Sequence, residues 1–277
     1  AATPVLMNLT MIAAIGLGGA WFRGNPLQGI RAMAWSVIVA GILQMLVQLP
    51  SLVRRGFRPA LSFDWRDPGV RRVFALMGTA AVGLGMPQIN VLLTRLLSAA
   101  VSEGAPTYLY LSERLVYLPL GIFGTALGTV LLPAFSSLAA QGQMVRIKEM
   151  VNHSLRNLLF VMVPASVGLL ALAKPITRLL YEHGLFTAHS TDMTAWALAC
   201  YAPGLVAFSL MKVFVPVFYA LQDMRTPVRM ALLGTGLTLF LILILVGPME
   251  HAGIALATVL AQAVTGVLLG RLVHRRI

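Results

Sequence analysis

The 277 residues are 58% hydrophobic and only 11% charged, against roughly 25% charged in a soluble domain, which excludes a water-soluble fold for most of the chain. The formal charge of +12 would suit nucleic acid if it formed one basic surface. Here the Lys and Arg sit in short loops between apolar runs, so lipid headgroups and membrane topology account for them and nucleic-acid binding is not expected. Eight apolar stretches follow in order, at about 4–22, 30–53, 68–98, 106–140, 145–172, 190–221, 226–247 and 251–273. Each reaches the roughly 20 helical residues needed to cross a hydrocarbon core about 30 Å thick. The third and fourth exceed it, which predicts tilt, kinks or surface extensions. Asp67-Pro68, Pro106-Thr107 and Thr226-Pro227 place a capping residue or a proline at a helix mouth, where a missing N–H costs nothing. The expected fold class is an all-α integral membrane protein.

Basic residues gather in alternate loops. Arg54, Arg55, Arg58, Arg66, Arg71 and Arg72 follow the second stretch, Arg146, Lys148 and Arg156 the fourth, Arg225 and Arg229 the sixth, and Arg271, Arg275 and Arg276 the eighth. The other loops hold only Arg23, Arg31, Lys174 and Arg178. By the positive-inside rule the basic face is cytoplasmic and both ends of this chain lie on that side.

Enzymatic signatures are absent. There is no P-loop, GxSxG, HExxH or paired-carboxylate arrangement, so neither ATP hydrolysis nor nucleophilic catalysis is expected. Cys200, the single cysteine, lies inside an apolar stretch, which removes disulfides and thiolate metal sites. His183 and His189, in YEHGLFTAHSTD, lack a carboxylate at ligand spacing and read as a solvated loop; no metal or cofactor is expected. An integral-membrane enzyme would need a carboxylate or His cluster at one face. Only Asp64 with Asp67 offers one, among arginines. The opening AATPVLMN runs straight into a helix, as in a piece of a longer protein.

Charged groups within the spans carry the functional signal, because each costs on the order of 3 kcal/mol or more at mid-bilayer. Arg95, near the outer end of the third span, is expected to snorkel to the headgroups, and its loss to matter little. Lys212 lies about nine residues from the inner end of the sixth, on the order of 13 Å deep by helical rise; snorkelling and lining a watery cavity both fit. Glu113 and Arg114 point about 100° apart on their helix and cannot pair well with each other, so each needs another partner or water. Along Arg114's face run Tyr110, Leu118, Gly121, Thr125 and Gly128, and Gly124 with Gly128 forms a GxxxG. Two readings fit that stripe: close helix packing, or a cavity wall whose guanidinium fork faces an anion such as phosphate. Pro87, Pro119, Pro133, Pro164, Pro203 and Pro216 inside the spans favour kinked helices around a cavity, as in a rocking transporter.

The run YLYLSERLVYLPLGIFGTALGTVLLPAFSSLA (Tyr108–Ala139) resembles the signature helix of the MurJ/MviN family of lipid II flippases. So do QMLVQLP (Gln44–Pro50), YEHGLFT (Tyr181–Thr187), KVFVPVFYALQDMRTPVRM (Lys212–Met230) and GPMEHAGIALA (Gly247–Ala257), in order over nearly the whole chain. The resemblance implies the multidrug/oligosaccharidyl-lipid/polysaccharide exporter fold, with fourteen helices in two lobes around a cationic cavity. Its implied function is passage of undecaprenyl-pyrophosphoryl disaccharide-pentapeptide from the inner to the outer leaflet of the bacterial cytoplasmic membrane for peptidoglycan synthesis.

On that resemblance residues 1–58 are the last two helices of the N-lobe, 59–67 the cytoplasmic inter-lobe linker, and 68–277 the first six helices of the C-lobe. The four leading and two final helices of the family are missing partners. Arg114 matches the family's cavity arginine and faces pyrophosphate, with Glu113 where the family often has Asp. Lys212, Tyr110, Gly121, Thr125, Gln88 and Asn90 complete the candidate cavity. Relatives with a sodium site use acidic and Asn side chains in helices matching the third, seventh and eighth. No carboxylate lies in the membrane part of those helices here, Asn90 and Thr94 being the nearest polar groups, so sodium binding is not expected. An exporter of another polyprenyl-pyrophosphate-linked saccharide, or an inactive truncated copy, stays open.

Overall fold

The computed structural model describes residues 3–21, 26–54, 70 and 88–277, and every regular element among them is helical. Two compact units divide the chain, Ala1–Arg71 and Arg72–Ile277. In the first, α1 (Thr3–Trp21) packs against α2 (Pro26–Arg54) as a hairpin. Their polar side chains fold back onto their own backbone: Thr10 donates to the Leu6 carbonyl at 2.8 Å and Ser36 to that of Met33 at 2.7 Å, which satisfies hydroxyls that hydrocarbon would leave unpaired.

The second unit holds α3 (Gln88–Val101), α4 (Ala105–Pro119), α5 (Thr125–Ala140), α6 (Met144–Ala171), α7 (Ala173–Tyr181), α8 (Ala188–Tyr201), α9 (Gly204–Ala220) and α10 (Arg225–Arg276). Phe135, Leu198, Leu205, Phe218, Ile254 and Leu269 fill its core. Outward-facing residues are also apolar: Phe160 is 81% exposed and Leu243 78%, as expected where hydrocarbon rather than water covers a helix.

Three described helices are long and apolar enough to cross a membrane, or up to five if each bent pair is one span. The eight expected stretches map onto these with three differences. Helix α10 joins the last two across a break at Glu250, where φ is 49°. The third is described only from Gln88 apart from residue 70, so Pro87 and its first half lie outside the described residues. The first is described as apolar over the shorter Val5–Gly16. The linker 59–67, with Asp64, also lies outside them, as does Asp67.

The breaks have local causes. Pro119 removes a ladder N–H, and the chain widens into a π-helical turn, Leu120–Gly124, before α5 resumes at 41° to α4. Between α8 and α9 the bend is 46°, at Pro203, and Ser166 of α6 donates to the Ala202 carbonyl there at 2.7 Å. By contrast Pro133, Pro164 and Pro216 sit inside continuous helices, so only some of the intramembrane prolines bend the chain sharply. At the α10 break His251 is buried; its Nε2 donates to the Met193 carbonyl at 2.9 Å, and its ring meets Tyr108 and Trp196 edge-on. The two halves of α10 then run antiparallel, Gly234 against Thr265.

Two features depart from the sequence reading. Helix α7 lies where only a loop is expected, and is tied to α8 by Lys174–Asp192 at 2.6 Å. The cap of α10 is Asp223, not Thr226. Asp223 Oδ1 accepts the Arg225 and Thr226 N–H groups at 3.1 and 3.0 Å, while Oδ2 accepts the Thr226 hydroxyl at 2.7 Å and Arg276 Nη2 at 3.3 Å. A carboxylate takes both orphan N–H groups, which leaves the threonine hydroxyl as a donor.

The Thr226 hydroxyl and N–H bonds, with smaller help from Arg225 and Arg276, hold the Asp223 carboxyl below the ordinary aspartate value. The folded value lies below the unfolded one, so this stabilisation is complete above the ordinary aspartate range and disappears as pH falls through the depressed value. Asp223→Ala is expected to cost about 1 kcal/mol at pH 7, and the gap between its thermal midpoint and the wild type's to shrink at pH 3. A second expectation concerns Gly253, where a Cβ would overlap the Leu245 carbonyl across the α10 break. Gly253→Ala should destabilise by about 2 kcal/mol or more, whereas Gly236→Ala, with open space around it, should not lower the midpoint in the same melting experiment.

Candidate functional site

Two helical turns of α4 build the site. Starting from Pro106 at its first turn, the 3.6-residue period carries Tyr110 and Arg114 on one face and turns Glu113 toward α3. Glu113 finds its partner there: Arg95 Nη2 lies 3.0 Å from Glu113 Oε2, and both side chains are 31% exposed. Arg95 Nη1 donates to the Pro106 carbonyl, also at 3.0 Å. The sequence reading gave Arg95 no protein partner; the structure gives it two, both on α4. A carboxylate on the adjacent helix offers the guanidinium a charge-assisted bond.

Arg114 is exposed, and its Nη2 donates to the Tyr110 hydroxyl at 2.7 Å. Its guanidinium carbon lies 4.7 Å from the Tyr110 ring centre, and that of Arg95 lies 5.1 Å from the same centre. Both cations thus sit over one aromatic ring, an attractive arrangement for each separately. Tyr181, at the end of α7, belongs to the same neighbourhood. Burial raises its phenol above the ordinary tyrosine value, while the Arg114 charge pulls the other way.

Behind the ion pair lies a cavity of about 230 Å³, whose polar lining residues include Asn90, Thr94, Arg95, Glu113 and Gln262 beside the apolar Val91, Leu109 and Phe208. Asn90 donates to Thr235 Oγ1 at 3.4 Å and accepts from Thr94 Oγ1 at 3.2 Å, which links α3 to the first half of α10. A neighbouring cavity of about 460 Å³ shares Tyr117, Phe208 and Gln262 with the first and contains Lys212 and Gly128. Lys212 is half-buried, lines this cavity and makes no ion pair among the described residues.

The other candidates are scattered. Gln88 and Gly121 are exposed, Gly121 on the π-helical turn, and the Thr125 side chain lies outside the described residues. That turn breaks the 3.6 period, so the stripe expected from Arg114 to Gly128 does not continue as one face. Its GxxxG splits: a Cβ at Gly124 would lie 3.5 Å from Lys212 Cγ, whereas Gly128 has open space. Sequence reasoning missed Thr258 and Gln262 in the wall of the first cavity. Their i, i+4 spacing in the apolar second half of α10 is the signal that could have found them. Among the described residues no three His, Cys, Asp or Glu come together. The chemistry on offer is cationic: Arg114, backed by a neutralised ion pair, and Lys212.

The sequence profile of the family described as "Lipid II flippase MurJ" matches residues 1–277. A probable lipid II flippase MurJ of Vibrio cholerae serotype O1 is 33% identical over 273 residues, covering 98% of this chain and 51% of that protein. The lipid II flippase MurJ of Burkholderia cenocepacia is 34% identical over 274 residues, covering 96% and 52%. Among solved structures, "Lipid II flippase MurJ, inward closed conformation" superposes with a TM-score of 0.80 at 25% identity, over 98% of this chain and 55% of that one. A MATE transporter of Vibrio cholerae, VcmN, shares the fold at a TM-score of 0.69 and 15% identity, over 99% and 61%. The chain spans about half the length of the curated relatives it matches. It belongs to the lipid II flippase MurJ family.

Proposed function

We propose that the chain is part of a flippase that carries a polyprenyl-pyrophosphate-linked peptidoglycan precursor, lipid II, from the inner to the outer leaflet of the bacterial cytoplasmic membrane. The single observation that carries the reading is Arg114, an exposed guanidinium beside an already neutralised Arg95–Glu113 pair in a member of this family. Its hydrogen bond goes to the Tyr110 hydroxyl through one Nη2 donor, and a guanidinium has five N–H donors with which to meet a phosphate. Neutralising pyrophosphate charge in a low-dielectric setting is the task such a group performs well, because water no longer competes.

Alternating access supplies the motion. Residues 1–58 contribute the closing helices of one lobe and 68–277 the opening helices of the other, joined by 59–67. The bends at the π-helical turn, at Pro203 and at Glu250 provide discontinuous helices of the kind such transporters use around a substrate path. The basic loops, through the positive-inside rule, support a cytoplasmic side for both ends of this chain. Lys212 lines the cavity beside the path as a second cation.

The test is complementation with the intact protein. Arg114→Ala should abolish precursor export and cell growth while protein still accumulates in the membrane, and Arg114→Lys should restore only part, because an ammonium cannot donate the planar fork. Normal growth of cells that rely on the Arg114→Ala protein would remove Arg114 from the substrate path. Competition by other polyprenyl pyrophosphates would separate lipid II from related lipid-linked saccharides.

A further inference from the structure

Arg95 sits at the centre of the geometry around Arg114. Its two terminal nitrogens reach two points on α4, the Pro106 carbonyl and the Glu113 carboxylate, each at 3.0 Å. Two bonds from one planar group to anchors two helical turns apart fix both its position and its plane. That plane lies over the Tyr110 ring at 5.1 Å, and the hydroxyl of the same ring accepts from Arg114 at 2.7 Å. Tyr110 therefore bridges the two arginines, and its place depends on both.

Charge follows the same arrangement. Two guanidiniums over one ring repel each other unless one is compensated, and Glu113 compensates Arg95 directly. The cluster of Arg95, Glu113 and Arg114 thus carries one net positive charge, displayed by the exposed member. Without Arg95 the Glu113 carboxylate would stand uncompensated one residue from Arg114, and the net charge would fall to zero.

We propose that Arg95 is a positioning residue: by holding Glu113 and Tyr110 it reserves the charge and orientation of Arg114 for an anionic group. This inference rests on the reading of Arg114 as the pyrophosphate-facing cation. The experiment titrates farnesyl pyrophosphate onto the purified intact protein by calorimetry, for the wild type, Arg114→Ala, Arg95→Gln and the exchange Arg95→Glu with Glu113→Arg. Arg114→Ala and Arg95→Gln should each bind about tenfold or more weakly, and the exchange should return affinity to within about threefold of wild type. A merely structural role would show as a lowered melting temperature for Arg95→Gln with its affinity unchanged, whereas a positioning role lowers affinity in a protein that melts like the wild type. If Arg95→Gln binds like the wild type while Arg114→Ala weakens, the inference fails and the underlying reading stands. If Arg114→Ala itself binds like the wild type, that reading fails. Should Arg95→Gln not fold, the folded exchange variant decides alone: near-wild-type affinity supports the inference, and affinity about tenfold weaker overturns it.

Discussion

One ion pair organises this half of the molecule. Arg95 on α3 and Glu113 on α4 meet at 3.0 Å within apolar helices, where an unpaired charge is costly and a paired, hydrogen-bonded one is tolerated. The pairing settles several things together. It fixes α3 beside the first turns of α4, places two guanidiniums over Tyr110, and supplies one wall of a cavity also lined by Asn90, which bonds to Thr235 on α10. It also leaves Arg114 as the member of the cluster with exposed charge.

Discontinuous helices surround this arrangement, and their interrupted backbone is satisfied by specific groups. Ser166 serves the α8–α9 bend, the π-helical turn absorbs the loss at Pro119, and His251 anchors the α10 break to α8. Within hydrocarbon such partners are a requirement, since water is not there to replace them. The close approach at Gly253 makes the α10 hairpin tight, whereas Gly128 and Lys212 border open space. Close packing at the breaks thus stands beside open space near Lys212.

Much of the fold is legible in the sequence because spans are set by one property, the length of an apolar run, and proline marks several of the places where a run bends. The lack of a good Glu113–Arg114 pair could likewise be read, since 100° between adjacent residues is local geometry. What could not be read depends on contacts between distant segments. Arg95 looks like a terminal, snorkelling arginine until α4 is placed beside it, eighteen residues on. Thr226 looks like the cap of α10 because threonine often is one, but the preceding turn brings the stronger acceptor, Asp223, to the same N–H groups. The stripe from Arg114 to Gly128 assumes an unbroken period, and one π-helical turn shifts everything after it. Helix α7 escapes a hydropathy reading because it is short and carries Lys174 and Arg178.

The account stands on Glu113 neutralising Arg95 and thereby freeing Arg114 for an anion. An experimental structure of the intact protein with farnesyl pyrophosphate bound tests this most directly. The account predicts the Arg95–Glu113 pair within about 4 Å and Arg114 donating to a phosphate oxygen. Arg95 extended toward the headgroups, with Glu113 turned to Arg114 and the pyrophosphate elsewhere, would contradict it.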